Sequence, residues 1–162
     1  MSRMIATVFY VGLLRPAPGT WGSAAALPLL WLLHIAGGFA LVVVATVAVA
    51  ALGWWAIRRE SVEGGDPDPS EFVVDEVVGQ WLALWPVSFG AGMIGADVLA
   101  LWPGWIAAFV LFRLFDILKP GPVGWADRQH GPTGVMLDDM IAGVLAAIVA
   151  SALAALAHGV LM

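Results

Sequence analysis

Three stretches of this chain contain almost no charge, and their length limits the folds available to it. No charged side chain occurs from Pro16 to Ile57, only Asp97 occurs from Val77 to Phe112, and none occurs from Met140 to Met162. A helix needs about 20 residues to cross the hydrocarbon of a bilayer. The first stretch is therefore long enough for two crossings, and Ala36-Gly37-Gly38 is its natural break because paired glycines interrupt helices. Its first arm, roughly Gly22 to Ile35, is short and spans thinly or re-enters. Its second arm, Phe39 to Ile57, is rich in Val and Ala. Val77 to Phe112 reads as a second hairpin, with Pro86, Gly90, Gly92, Gly95 and Asp97 around its turn and Pro103 at a helix start. Met140 to about His158 reads as one further crossing. The expected fold is all-α: one domain over residues 1–162, a membrane bundle of four to five hydrophobic helices built from two helical hairpins and a C-terminal helix.

Composition agrees. Hydrophobic residues make up 61% and charged residues 12%, about half the charged share of a soluble domain. A buried all-helical soluble core is the competing reading, and the length of the uncharged runs argues against it. Nine tryptophans suit an interfacial belt. The net charge of −5 and the lack of a basic stripe exclude nucleic acid as a partner. The absence of cysteine removes disulfides, thiolate zinc sites and cysteine nucleophiles. Arg3 followed by the apolar Met4–Leu14 imitates a signal peptide, but the run stops at Arg15 without a small-residue cleavage site. A short interfacial or bundle-packed helix is expected there.

Two hairpins and one crossing put every hairpin base on one side of the membrane. Arg15, Arg58, Arg59, Arg113, Lys119 and Arg128 fall at those bases. Basic residues in short loops stay cytoplasmic, so that side is assigned to the cytoplasm and the C-terminus to the far side. The most polar stretch, Arg58–Glu76, contains a loop at Gly64–Pro69. Asp68 reads as a helix cap with Pro69 first in the helix and Glu71 three residues on. Asp75 and Glu76 would then lie about two turns in.

Three polar clusters share the predicted cytoplasmic side. In Pro18-Gly19-Thr20-Trp21-Gly22-Ser23, Thr20 is placed to cap a helix whose free N–H groups suit phosphate, although an ordinary capped turn has the same pattern. Asp75 and Glu76 open an apolar run, where a divalent cation would relieve their repulsion; a solvated helix start is the plainer reading. The densest cluster runs from Arg113 through Asp116, Lys119 and Pro120 to Asp127, Arg128 and His130, then Asp138 and Asp139. Arg113 and Asp116, three apart, share a helix face. Hard carboxylate oxygens suit magnesium, and magnesium beside cationic side chains suits phosphoryl transfer. Zinc is disfavoured because the only histidines are His34, His130 and His158, two of them in apolar runs. Asp66-Pro67-Asp68-Pro69-Ser70 imitates an aspartate-nucleophile signature, but that signature ends a buried strand and this one lies in a Gly-Pro loop. The segment Asp138–Gly143 lacks the Asp-Gly and Ala-Arg pairs of the CDP-alcohol phosphotransferases.

Three blocks together resemble the phosphatidylglycerophosphatase A family: Pro18–Ser23 with Pro28 beyond; Val74-Asp75-Glu76-Val77-Val78-Gly79; and Phe112–Pro120 through Asp127-Arg128 to Asp138-Asp139-Met140-Ile141-Ala142-Gly143. The chain departs from the family's Gly-Gly-x-Gly-Ile-Met, having Gly131-Pro132-Thr133-Gly134-Val135-Met136. The resemblance implies a magnesium-dependent phosphatase at the bacterial inner membrane. It would act on phosphatidylglycerophosphate from the cytoplasmic side and yield phosphatidylglycerol. Asp75, Glu76, Asp138 and Asp139 are the expected metal ligands. Arg113, Lys119, Arg128, Thr20 and Ser23 are the expected phosphate contacts. Asp116 would orient Arg113 or join the metal shell, and Asp127 or His130 would protonate the leaving oxygen. The residues alone leave two alternatives open: a small transporter using membrane-edge acids, which wants ionisable groups at mid-membrane depth, and a phosphatase of another lipid phosphate such as phosphatidic acid. Membrane lipid is an expected partner in either case, and a homo-oligomer is compatible with the sequence.

Overall fold

The computed structural model describes residues 1–62, 69–129 and 131–161. Six α-helices carry the fold: α1 (Ser2–Ala6), α2 (Pro18–Val62), α3 (Val74–Ile94), α4 (Trp102–Leu118), α5 (Pro122–Asp127) and α6 (Pro132–Leu161). No strand occurs among the described residues. Four of these helices, α2, α3, α4 with the 3-10 turn before it, and α6, are long and apolar enough to cross a membrane.

The first uncharged run is a hairpin, as its glycine pair predicts. Gly38 has φ +63°, a conformation open to glycine and unfavourable for other residues, and it breaks α2 into a first arm (18–36) and a second arm (39–62). The packing shows the reversal. A Cβ on Gly22 would lie 2.7 Å from the Cβ of Val73, and one on Gly53 would lie 3.0 Å from Val74. Along an unbroken helix Gly22 and Gly53 would stand about 46 Å apart; here they meet neighbouring residues of one segment.

Helix α3 runs through the centre and touches both arms. Trp81 donates its indole N–H to the Ala26 carbonyl of the first arm at 2.9 Å, and Trp85 donates to Thr46 Oγ1 of the second at 3.2 Å. Further along, half-buried His34 lies with Nδ1 2.7 Å from Oγ of buried Ser88, a hydrogen bond between the first arm and α3. The second hairpin also forms, with a narrower turn than predicted. Pro86, Gly90 and Gly92 are helical, and the reversal is confined to Gly95 (φ +65°), Ala96 and the Asp97 cap, whose carboxylate accepts the Leu99 N–H at 2.8 Å. Pro103 stands in the first turn of α4 as expected.

Three local expectations are corrected. The run Met4–Leu14 is not one helix: after α1, Val8, Phe9 and Tyr10 all take positive φ, and a 3-10 turn covers Val11–Leu13. Helix α3 starts at Val74, so Asp75 and Glu76 lie in its first turn. The segment before it is held instead against the N-terminal residues: the Val73 N–H reaches the Ala6 carbonyl at 2.9 Å, and Arg3 pairs with Glu71 at 2.8 Å. The proposed Asp68 cap lies outside the described residues. Helix α6 starts at Pro132, so Asp138 and Asp139 sit nearly two turns inside it.

The two arms, α3, α4 and α6 make five antiparallel or parallel passes. The starts of α2, α3 and α6 and the ends of α2 and α4 all lie at one end of the bundle. Arg15, Arg58, Arg59, Arg113, Lys119 and the paired acids gather there, while Asp97 stands at the other. Arg58 stacks over Trp54 and Arg59 over Trp55, with ring distances of 5.2 and 5.8 Å. Such amphipathic pairs suit a membrane interface.

Candidate active site

A cavity of about 420 Å³ opens at the charged end, a volume within the usual range for small-molecule sites. Its wall combines the first turn of α2, the starts of α3 and α6, the end of α4, and the segment around α5.

The acids converge because two helices touch through glycine. A Cβ on Gly143 of α6 would collide with the carbonyl oxygen of Gly79 on α3, and one on Gly79 would meet Phe112 and the Asp139 carbonyl at 2.5 and 2.6 Å. Only hydrogen at both positions lets the backbones approach this closely. Glu76 lies three residues before Gly79 and Asp139 four before Gly143, so each acid sits one turn above the contact and the two face each other.

Asp116 on α4 completes the group. Glu76, Asp116 and Asp139 each place a carboxylate oxygen within 4.8 Å of the others. Asp139 is 4% exposed. The sequence expectation grouped the adjacent acids, yet neighbours in a helix point about 100° apart. One acid of each pair therefore joins the cluster, and Asp116 supplies the third corner. Asp75 and Asp138 are also buried and line the same cavity. Asp75 Oδ1 accepts the Glu76 N–H at 2.9 Å, and Asp138 Oδ1 accepts the Asp139 N–H at 3.0 Å.

Two cations serve these acids. Arg113 Nη1 bonds Glu76 Oε2 and Asp116 Oδ2, the latter at 2.9 Å. Lys119 pairs with Asp127 and, at 3.1 Å, with Asp138. Lys119 caps the C-terminus of α4 and takes φ +46°. The helical conformation is disfavoured before Pro120, and the left-handed alternative costs about 1–2 kcal/mol. The turn swings the ammonium group across to α5 and α6. Burial pulls the Lys119 pKa down, but hydrogen bonds and charge from Asp127 and Asp138 outweigh it and hold the amine well above the ordinary lysine range. Its charge therefore persists at every pH at which the protein would work.

The remaining expected contacts divide. Thr20 lines the cavity, but it does not cap α2: the helix starts at Pro18, and the Ala17 carbonyl accepts the Trp21 N–H at 3.1 Å. Gly19 and Thr20 line the cavity from the first turn of α2, where backbone N–H groups have no partner within the helix. Ser23 is fully buried behind the wall, its hydroxyl 3.0 Å from Glu76 Oε2 and 2.9 Å from the Gly19 carbonyl; it supports Glu76 and does not line the cavity. Arg128 is exposed and is not part of the wall. Asp127 is at the rim. His130 lies outside the described residues.

Gly19 itself was not singled out by sequence reasoning. A Cβ there would overlap Glu76 Oε1 and lie 3.3 Å from Arg113 Nη1. The Pro-Gly-Thr run carries the signal, but the reason is visible only once α3 packs against it.

Comparison with known proteins covers the segments that build this cavity. The family model described as Phosphatidylglycerophosphatase A matches residues 4–154. The chain is 35% identical to the phosphatidylglycerophosphatase A of Haemophilus influenzae over 93% of its own length and 86% of the relative's. It is 34% identical to that of Escherichia coli K12, covering 89% and 78%. A Bacteroides thetaiotaomicron protein named putative phosphatidylinositol-3-phosphatase is 38% identical, covering 87% and 86%. No solved structure matches.

Proposed function

Because the chain belongs to the phosphatidylglycerophosphatase A family, we propose that it hydrolyses phosphatidylglycerophosphate to phosphatidylglycerol and phosphate, with magnesium, at the cytoplasmic face of a bacterial inner membrane. The observation that carries the reading is the cluster of Glu76, Asp116 and buried Asp139 in the cavity at the charged end of the helix bundle. A lipid phosphate reaches such a cavity while its acyl chains stay in the bilayer.

The donor set fits the metal. Three carboxylates from three helices, with an oxygen of each within 4.8 Å of the others, offer the hard oxygen donors that magnesium prefers. Asp75 and Asp138 stand next to them as further oxygen donors or water ligands. When bound, the ion would polarise the phosphate and lower the pKa of the attacking water.

The chain's own groups do the rest. Lys119, cationic and at the wall, neutralises phosphate charge, as does Arg113. Thr20 and the first N–H groups of α2 hold phosphate oxygens and set the orientation. Asp127 at the rim, or His130, supplies the proton that the departing glycerol oxygen needs. The basic residues at this end favour the cytoplasmic side.

Phosphate release from phosphatidylglycerophosphate by the detergent-purified protein tests the reading. Release should require magnesium and stop on chelation. Activity that survives chelation would remove the metal from the mechanism. The name of the Bacteroides relative favours one second reading, another lipid phosphomonoester as substrate. Phosphatidylinositol 3-phosphate and phosphatidic acid belong in the same assay, and preference for either over phosphatidylglycerophosphate would replace the substrate assigned above.

A further inference from the structure

The cation now seated in the acid cluster is Arg113. Its Nη1 alone bonds Glu76 Oε2 and Asp116 Oδ2, and lies 3.4 Å from Ser23 Oγ. Two of the three corners of the cluster are thus occupied by one guanidinium nitrogen. An arginine that binds carboxylates well usually does so through two parallel N–H groups. Here Nε is buried with no partner among the described residues. An unpaired buried donor is costly, so this arrangement leaves the guanidinium incompletely satisfied.

Each carboxylate has two oxygens and about four lone pairs, so what opposes joint occupancy is charge: a magnesium ion bonded to Glu76 and Asp116 would repel a guanidinium held on the same two side chains. The open space beside the guanidinium is the cavity that Arg113 lines; Gly19 itself packs directly against Glu76, where a Cβ would overlap Oε1 and stand 3.3 Å from Nη1. The first-turn N–H groups and Thr20 line the cavity on that side, and Lys119 lines it too.

We propose that Arg113 is a resident counter-ion of the metal-free cluster: magnesium displaces it from Glu76 and Asp116, and the released guanidinium becomes a ligand of the substrate phosphate. The exchange lets five acids, three of them buried and two half-buried, coexist without metal and arms the phosphate site only when metal is present. The inference rests on the reading that the cluster binds a divalent cation.

The test uses the full chain in detergent. Phenylglyoxal, which modifies accessible arginines, is applied to metal-free protein, to protein saturated with magnesium, and to each of these with inorganic phosphate. Mass spectrometry reads the rate at Arg113, with exposed Arg58 and Arg59 as internal references. Calorimetry separately measures magnesium binding in the natural chain and in Asp139→Asn. The Arg113 side chain is 15% exposed in its ion pairs, so modification should be slow without metal and severalfold faster with it. Phosphate should slow it again in the magnesium-loaded protein and have no effect in the metal-free one. Saturable magnesium binding with an unchanged Arg113 rate overturns the exchange and leaves the metal reading standing. Absence of saturable binding overturns both.

Discussion

Helices α2 and α3 invert the pattern of a soluble protein. Among the four candidate spans, α2 has the highest mean hydropathy, yet only 11% of its most apolar stretch is buried; α3 has the lowest, and 61% of its stretch is buried. In water the most apolar helix would be the one most enclosed. Here it faces outward, with Val44, Val47 and Leu52 exposed, and the interior helix carries Asp75, Glu76, Gln80 and Ser88. The difference teaches that the surrounding solvent is hydrocarbon. It also shows that polar groups were placed at the centre for a reason other than solubility, and at the charged end that reason is the acid cluster.

The sharpest way to break this contrast is to neutralise the centre. Asp139→Asn keeps shape and hydrogen bonding but removes one corner of the cluster. Loss of a second-sphere partner at a metal site costs about 10–100-fold, so loss of a ligand should cost about 1,000-fold or more in turnover. The folded protein should survive, because removing one of several crowded acids relieves repulsion. Phosphate release and thermal unfolding measured on the same preparation give both numbers. Near-normal turnover would mean that the cluster is not the reactive centre.

The next largest effect concerns the outside. Val47 of the second arm is 61% exposed. If that face meets lipid near mid-depth, Val47→Asp should destabilise the membrane-inserted protein by about 2.5–3.5 kcal/mol. If the face met water, the same change would be nearly neutral. Unfolding in lipid nanodiscs distinguishes the two.

A smaller effect lies at the junction between centre and site. Gly143→Ala puts a methyl group against the Gly79 carbonyl, and neither backbone can yield cheaply. Overpacking of this kind costs about 1–3 kcal/mol. It should also lower turnover, because the contact sets the spacing of Glu76 and Asp139 one turn above. Gly90→Ala, in the same helix as Gly79, is the control: nothing lies within 4 Å of its new Cβ. It should be neutral or slightly stabilising.

Much of this architecture was legible in the chain. Uncharged runs of more than one span, broken by Gly37-Gly38 and by Gly95–Asp97, announced two hairpins because charge and helix length are local properties. The start of α3 was not legible, because Glu71 and Val73 are held by Arg3 and Ala6 from the far end of the sequence. The cluster was half legible. Sequence adjacency suggested that Asp75 with Glu76 and Asp138 with Asp139 act as pairs, while helical rotation separates each pair and brings in Asp116 from a third helix. Ser23 looked like a phosphate contact and is instead buried behind Glu76, a matter of packing depth that no local pattern encodes.

The smallest predicted effect asks whether every polar group at the centre belongs to the site. Gln80 lies on α3 one turn inside Glu76 and is fully buried, and neither its amide nitrogen nor its amide oxygen has a partner among the described residues. A buried unsatisfied amide is destabilising, whereas an apolar side chain of similar shape in its place is neutral or favourable. Met is the closest such replacement: unbranched, flexible and able to fill an irregular gap. Gln80→Met should therefore leave turnover unchanged and keep stability the same or raise it by up to about 1 kcal/mol. That result would confine the functional polarity of α3 to its first turn. A stable Gln80→Met protein with reduced turnover would point the other way, to an amide that finds its partner only once the site is occupied, and the reactive region would then extend a full turn deeper into the bundle.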